Sequence, residues 1–483
     1  MSPSPASTVA ALFAATVLYV LFKVLRFRRM RALMPPGPPG LPVLGNVLQV
    51  PKEQAFRQFA DWGNTYGPII SLDMAGQPVV VVNSLKVATD LFDRRSAIYS
   101  SRPRLIMPVE LFMGGNNIWR KQRRAVHEAM NIRDVSAYNP TLEKAAVDLV
   151  SQLLNDKSGD WRQLCNRAIA AGVTSIVYGN ILANKNLDEF LEQVFEVVHR
   201  LSNAAGKDRY MVEYIPSMLL LPDWMAKFKR DAAAFFQRFT ALFEGLYEDA
   251  RLSMHEGDNE LSFCCHLMRN EHRLGLSTRD SAWLAAVLMK YLDDNQSTAV
   301  FAVFFLVMLR NPDVMRRAQA EIDAVVGRDR LPTLDDLDRL PYIYATIHEL
   351  LRWWPVAPLS LPHSIMEDDW YDGYFIPKGT TVLQNLWAIG RDPEDFPEPD
   401  RFKPERFLHE DSDGSMHVKG ATQKPFAFGF GRRICPGSNV AMRNLFIEIA
   451  CVLWAFDISP FYDEKGEPVI PSETDCLDDG LVT

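Results

Sequence analysis

The chain has little cysteine, and none of it is arranged to hold a metal ion or a disulfide framework. Six cysteines are spread over 483 residues: Cys165, Cys264, Cys265, Cys435, Cys451 and Cys476. They form no CxxC pair and follow no regular spacing, so neither a zinc site nor a set of disulfides is expected, and a reducing compartment fits best. Positive charge is not in excess either. The formal net charge is -8, which gives no electrostatic reason for nucleic acid as a partner. There are no repeats, no low-complexity tracts, and no glycine-rich fingerprint of dinucleotide or flavin binding. Length alone allows roughly two to four domains at about 150 residues each. Only one spacer-like stretch occurs, however, and it lies near the N-terminus.

Charged side chains are also missing from the first 22 residues. Ala6 to Phe22 is an uncharged run of seventeen residues, at the short end of the ~17–25 that span a bilayer. Lys23, Arg26, Arg28, Arg29 and Arg31 follow it. A cleaved leader would carry its basic residues ahead of the apolar run and a small-residue cleavage site behind it. Both are missing. Residues 1–31 therefore read as one N-terminal transmembrane helix with a basic flank, and the flank keeps the body on the cytosolic side. Pro35 to Gly40 reads PPGPPG. Proline fixes φ and removes donors, so 32–46 is expected as a stiff hinge, with 47–483 as a single unit.

The body reads as mainly α with a small β component. Ile69–Ser71 and Val79–Val82 flank turn-prone residues and predict a hairpin. From about Val87 the apolar period becomes helical. Ser281–Leu309 predicts a long apolar helix interrupted by the polar stretch Asp293–Thr298. Tyr342–Trp354 predicts a helix stopped by Pro355. Short strands are expected between Pro355 and Gln384, irregular chain over Asp392–Phe407, and a last helix over Asn439–Phe456.

Cys435 stands out from the other cysteines. It lies in FAFGFGRRICPG, Phe426 to Gly437, just before that last helix, with Pro436 suited to the first helical position. A helix N-terminus favours thiolate. Gly429, Gly431 and Gly437 allow close backbone approach, while Arg432 and Arg433 offer counter-charge. A thiolate, close backbone, flat aromatics and arginines together suit a haem, with sulfur on iron and an arginine on a propionate.

Phe428-x-x-Gly431-x-Arg433-x-Cys435-x-Gly437 resembles the haem-ligand signature of the cytochrome P450 monooxygenases. Glu349-x-x-Arg352 resembles the ExxR motif of that family, and Arg406 in Phe402-x-Pro404-Glu405-Arg406-Phe407 resembles the arginine that completes its structural cluster. Trp119-x-x-x-Arg123 resembles the propionate-binding helix, and Pro362-His363 falls where a further propionate partner is found. The order of these motifs, after an anchor and PPGPPG, looks most like fungal, membrane-bound members. The resemblance implies the cytochrome P450 fold and haem b. It implies Cys435 as the axial iron ligand and Trp119, Arg123, His363, Phe428, Arg433 and Gly437 as cofactor-binding residues. It also implies oxidation of a lipophilic small molecule, such as a terpenoid or other secondary metabolite, in the endoplasmic reticulum membrane. Electrons would come from NADPH through a separate NADPH-cytochrome P450 reductase, steered by Arg120, Lys121, Arg123, Arg124 and Arg432.

The sequence departs from the family at the oxygen site. Where a carboxyl and a threonine are usual, it has Gln296 and Ser297. Ser297 keeps the hydroxyl, Gln296 cannot ionise, and Asp294 is expected to take over the proton relay; the alternative is that Asp293 and Asp294 bind a polar group of the substrate. Met113–Ile118 looks contracted, and a final strand usual in the family is not present before Thr483, so a domain shortened at its C-terminus is expected. Two other functions stay open: a haem-binding protein of this fold with little oxygenase activity, and a haem-thiolate isomerase or dehydratase.

Overall fold

Four consecutive valines, Val79–Val82, show how the sequence builds its sheet. The computed structural model describes residues 30–472 apart from 112, 114–117, 157–158, 180, 182–186, 206–209, 256–260, 294, 413–415 and 419–424. In it β1 (Ile69–Met74) and β2 (Gln77–Val82) pair antiparallel, Ile69 opposite Val82 and Met74 opposite Gln77. The turn is only Ala75 and Gly76, at φ 53° and 89°, a tight hairpin geometry whose twist matches the strands. β3 (His363–Ser364) and β4 (Thr381–Gln384) complete the sheet in the order β1-β2-β4-β3, with β2 and β4 parallel. Val80 and Val82 enter one apolar cluster with Leu91, Phe92 and Phe430, while Val79 and Val81 enter another with Phe59 and Leu72. A strand covered on both faces has no polar side, hence the unbroken run.

Between Leu85 and Trp353 every element among the described residues is helical. The helices that matter below are α1 (Trp119–Ala129), α2 (Asn139–Asn155), α3 (Trp161–Tyr178), α4 (Thr278–Asp293), α5 (Asn295–Arg310) and α6 (Pro341–Trp353), followed after the sheet by α7 (Ser438–Ala455). α4 and α5 together cover the expected Ser281–Leu309 helix on either side of residue 294. α6 starts at Pro341, whose missing N–H has no intrahelical partner to lose. α7 buries residues all round its axis, Val440, Leu445, Ile447, Ile449 and Val452 among them, as a central core helix must. It packs against α2 and α6.

The proline-rich stretch is not a free-standing spacer. Ser71 donates to the carbonyls of Pro35 (2.5 Å, hydroxyl) and Pro36 (2.9 Å, N–H). Asn46 Nδ2 donates to Pro38 O at 3.1 Å, and Arg31 bonds the same carbonyl. Met34 is buried in the sheet's core. Prolines without N–H groups keep their carbonyls, and the edge of β1 uses them. The apolar run Ala6–Phe22 and Lys23, Arg26, Arg28 and Arg29 lie outside the described residues. Among the described residues no single helix is long and apolar enough to cross a membrane; the one pair that reaches the length together, Thr298–Arg310 with Pro312–Val325, is bent by 104°.

One core residue breaks the apolar rule. Glu448 on α7 is fully buried, and among the described residues neither carboxyl oxygen has a hydrogen-bond partner. Burial pushes its carboxyl from about 4.5 up to about 8; Asn444, one turn earlier, pulls the other way without closing a bond of good geometry. The neighbours it acts on, Cys165 of α3 and Cys451 of α7, have thiols raised to about 12, chiefly by burial. The folded state therefore keeps a proton that the unfolded chain releases near 4.5. The contribution of Glu448 to stability is fully present below that value and is lost as pH rises to about 8, by ~1.4 kcal/mol per pH unit. Glu448→Gln is expected to remove this slope. In urea unfolding it should match the unsubstituted protein near pH 5 and exceed it increasingly up to pH 8; parallel pH curves would show that Glu448 does not titrate in this range.

Candidate cofactor and active site

The loop before α7 doubles back on itself. Phe426–Phe428 forms one 3₁₀ turn and Gly431–Arg433 another. Between them the chain reverses, so that the Cys435 N–H donates to the Phe428 carbonyl at 2.8 Å. Gly429 and Gly431 make the reversal, at φ +79° and +60°. At Gly431 space also decides: a Cβ there would lie 1.9 Å from the Phe92 carbonyl oxygen. Its N–H is held by Asp93 Oδ1 at 2.6 Å. α7 begins at Ser438 with Gly437 as its N-cap, so Pro436 lies two residues before the first helical residue rather than at that position. Cys165, Cys264, Cys265 and Cys451 are buried, whereas Cys435 is part-exposed.

Cationic and aromatic groups gather on this loop. Arg123, on α1, donates to the Ile434 carbonyl. Burial pulls its guanidinium down, and the Cys435 sulfur opposes that shift, so the two groups lie within electrostatic reach. The Arg433 guanidinium carbon is 3.5 Å from the Trp119 ring centroid, and its Nε donates to Ser100 O at 2.8 Å. The preceding carbonyl, of Tyr99, meets His363 Nδ1 at 2.7 Å. His363 is buried edge-on to Phe92, at 4.8 Å, which in turn stacks on Phe430. Burial first, then Arg102, lowers the His363 imidazole to about 3, so it is neutral. Its ring N–H is engaged by Tyr99, and Nε2 faces the Gln384 amide at 3.4 Å. As placed, His363 orients the Tyr99–Ser100 backbone.

The donor set fits a haem. Among the described residues no three His, Cys, Asp or Glu side chains converge as a metal shell. An iron held by one cysteine sulfur needs its other ligands from a macrocycle, and the guanidiniums of Arg123 and Arg433 match that group's carboxylates. Phe428 is part-buried against the helical core, and Gly437 caps α7. Asp294 lies outside the described residues, as do the side chains of Gln296 and Ser297; the backbone of the latter two forms the first turn of α5.

A buried ion cluster carries the far side of the loop. On α6, Arg352 grips Glu349 through Nε (2.6 Å) and Nη2 (2.8 Å), and its Nη1 donates to Gly390 O at 2.5 Å. Glu349 Oε1 also accepts from Arg406 Nε at 3.0 Å and from the Lys403 N–H at 2.8 Å. Arg406 spreads to the carbonyls of Pro397, Glu398 and Arg401. The Glu349 and Arg352 side chains are 0% and 1% exposed. Phe396, within the clamped segment, lies 5.4 Å from the Arg352 guanidinium and 6.0 Å from Phe426, so the cluster reaches the start of the cysteine loop. Gly390, Tyr99, Ser100 and the clamped carbonyls were not identified in the sequence, because a backbone acceptor leaves no residue-type signature. Asp93 and Gln384 were missed because they are distant in sequence from what they touch.

The family model for cytochrome P450 matches residues 35–476. Cytochrome P450 monooxygenase 58 of Postia placenta is 43% identical over 451 residues, covering 92% of this chain and 85% of the relative. A cytochrome P450 monooxygenase of Armillaria gallica is 40% identical over 457 residues, covering 92% and 86%. One from Amanita muscaria is 34% identical over 501 residues, covering 92% and 87%.

Removing one partner of a buried pair strands the other charge, at ~3–5 kcal/mol, a large share of the ~5–15 kcal/mol that holds a domain folded. Glu349→Ala is therefore expected to lower the urea midpoint by that amount or to leave no folded protein, with Arg406→Ala milder. A Glu349→Ala protein as stable as the unsubstituted chain would show that the cluster is not structural.

Proposed function

The chain belongs to the cytochrome P450 family of monooxygenases, and we propose that it oxidises a lipophilic small molecule, a fungal secondary metabolite such as a terpenoid. Dioxygen is the co-substrate, and electrons come from NADPH through a separate NADPH-cytochrome P450 reductase. The observation that carries this is the placement of Cys435: part-exposed, two residues before the cap of a core helix, its N–H closed on Phe428 and its sulfur in the field of Arg123. Bound there, haem b supplies reductive activation of dioxygen and transfer of one oxygen atom to a C–H bond.

The chain's own groups divide the remaining work. Cys435 holds the iron through its thiolate. Arg123 and Arg433 hold the propionates as charge-assisted donors, Trp119 keeps the Arg433 guanidinium flat, and His363 fixes the backbone that Arg433 grips. The Ser297 hydroxyl positions a proton at the oxygen site, and the Asp294 carboxyl replenishes it, since the Gln296 amide cannot ionise. Arg120, Lys121, Arg124 and Arg432 are exposed and form the basic face that an acidic electron-transfer partner would meet. A lipophilic substrate and a membrane site are supported by Leu220 and Trp224, which are 86% and 77% exposed; apolar side chains so exposed favour a lipid interface. The body sits on the cytosolic face of the endoplasmic reticulum, held by the N-terminal run.

Cys435→Ala is expected to abolish the red-shifted Soret band of the reduced, carbon-monoxide-bound protein, and a retained band would overturn the ligand assignment. Microsomes carrying the full chain and added reductase are expected to oxidise NADPH and yield an oxygenated terpenoid. Turnover without NADPH would point to isomerase or dehydratase chemistry, and peroxide as the sole product to a haem protein without oxygenase activity.

A further inference from the structure

Asp93 is an exposed carboxylate with a bond that its own helical turn does not need. It lies in Thr89–Arg94, a π-helical segment, the wider and rarer turn that recurs at functional sites. The Arg95 N–H closes that segment on the Asp90 carbonyl at 3.1 Å. Asp93 Oδ1 instead accepts the Gly431 N–H, 338 residues further along the chain, at 2.6 Å. The residue before it meets the same glycine. A Cβ on Gly431 would lie 1.9 Å from the Phe92 carbonyl oxygen and 3.5 Å from Ser96 Cβ. Contact with that carbonyl stops Gly431 from moving closer, and the charge-assisted bond to Asp93 holds it from moving away.

The same stretch of chain reaches the other side of the cofactor site. Beyond the π turn, the Tyr99 carbonyl meets His363 Nδ1 at 2.7 Å and the Ser100 carbonyl accepts from Arg433 Nε at 2.8 Å. The Phe92 ring lies 4.8 Å from His363 and 6.5 Å from Phe430. The stretch is itself fastened to the strand Asp369–Tyr371. Arg95 and the Tyr99 hydroxyl both donate to Asp369 Oδ2, at 2.6 and 3.0 Å, and the Tyr371 hydroxyl donates to Asp90 at 2.9 Å. Chain fixed at so many points is a rigid reference against which a loop can be set.

We infer that Asp93 is a positioning residue for Cys435: its carboxylate pins Gly431, and through it sets where the cysteine sulfur stands. Gly431 lies inside the turn that the Cys435 N–H closes on the Phe428 carbonyl, so a displacement of Gly431 is carried to Cys435. The side chain acts through the length and direction of one bond rather than through its charge at a distance, because water and salt screen an exposed charge. This rests on the haem assignment for what the sulfur holds, but not for the link between Asp93 and the loop.

The test compares three variants of the full-length holoprotein. Asp93→Asn keeps the acceptor oxygen in place and removes the charge. Asp93→Glu keeps the charge and displaces the acceptor by one methylene. Asp93→Ala removes both. Amide hydrogen exchange over Gly431–Ile434 is expected to quicken about tenfold in Asp93→Ala, less in Asp93→Glu and little in Asp93→Asn. The midpoint potential of the ferric–ferrous couple is expected to rise in Asp93→Ala and Asp93→Glu, since a displaced thiolate gives the iron less electron density, and to stay unchanged in Asp93→Asn. The red-shifted Soret band of the reduced, carbon-monoxide-bound protein is expected to decay faster in the same two variants. A normal potential in Asp93→Glu with a shifted one in Asp93→Asn would show action through charge and overturn the inference. Lower urea stability with unchanged potential and band lifetime in all three would reduce Asp93 to a support of the fold, and would overturn it as well. If the unsubstituted protein shows no red-shifted band, the haem assignment fails, and the exchange rates alone decide the link. Should Asp93→Ala fail to fold, Asp93→Glu and Asp93→Asn carry all three measurements.

Discussion

A carboxylate without exposed surface, Glu349, joins two guanidiniums and a backbone N–H, and much of the molecule hangs from it. Isolated, such a charge could not stay buried. Gripped by Arg352 and Arg406, it fastens α6 to the irregular 390–406 chain, which has no secondary structure of its own to hold it in place beyond one 3₁₀ turn at its end. That chain carries Phe396 against Phe426, and Phe426 opens the loop that ends at Cys435. A buried ion cluster is a poor source of net stability compared with apolar packing. Its value here is geometric: it fixes a segment that neither a helix nor a sheet could present to the loop from that side.

The cysteine loop then needs only local rules. Two glycines at positive φ reverse the chain, one Phe428–Cys435 hydrogen bond closes it, and a glycine cap starts α7. The side of the loop facing the sheet is held by Asp93 and the Phe92 carbonyl. The cationic side comes from α1, whose Arg123 bonds the Ile434 carbonyl beside the cysteine. Residues from at least four distant parts of the chain converge there, which is why one large helical core rather than several domains suits the site.

Much of this was legible in the sequence. The hairpin followed from apolar runs about a turn and α6 from its period and flanking prolines, because side-chain patterns carry those features, while Glu349, Arg352 and Arg406 came from their resemblance to the family's motifs. What the sequence did not show shares a cause. Pro36 and Pro38 looked like a spacer because proline lacks a donor, yet their carbonyls pair with Ser71 and Asn46. Beside His363, expected at a propionate, the structure adds Tyr99 O at Nδ1 and the Gln384 amide near Nε2. In each case a backbone group or a distant residue decided, and neither is marked by residue type nearby.

The central claim is that Cys435 holds iron at the end of this loop, with Arg123 and Arg433 at the rim. Anomalous diffraction at the iron absorption edge, from crystals of the protein purified with its cofactor, tests it most directly. A single iron peak within bonding distance of the Cys435 sulfur, with the haem propionates beside Arg123 and Arg433, is the predicted result. An iron peak bonded elsewhere, or propionates turned away from both arginines, would contradict it.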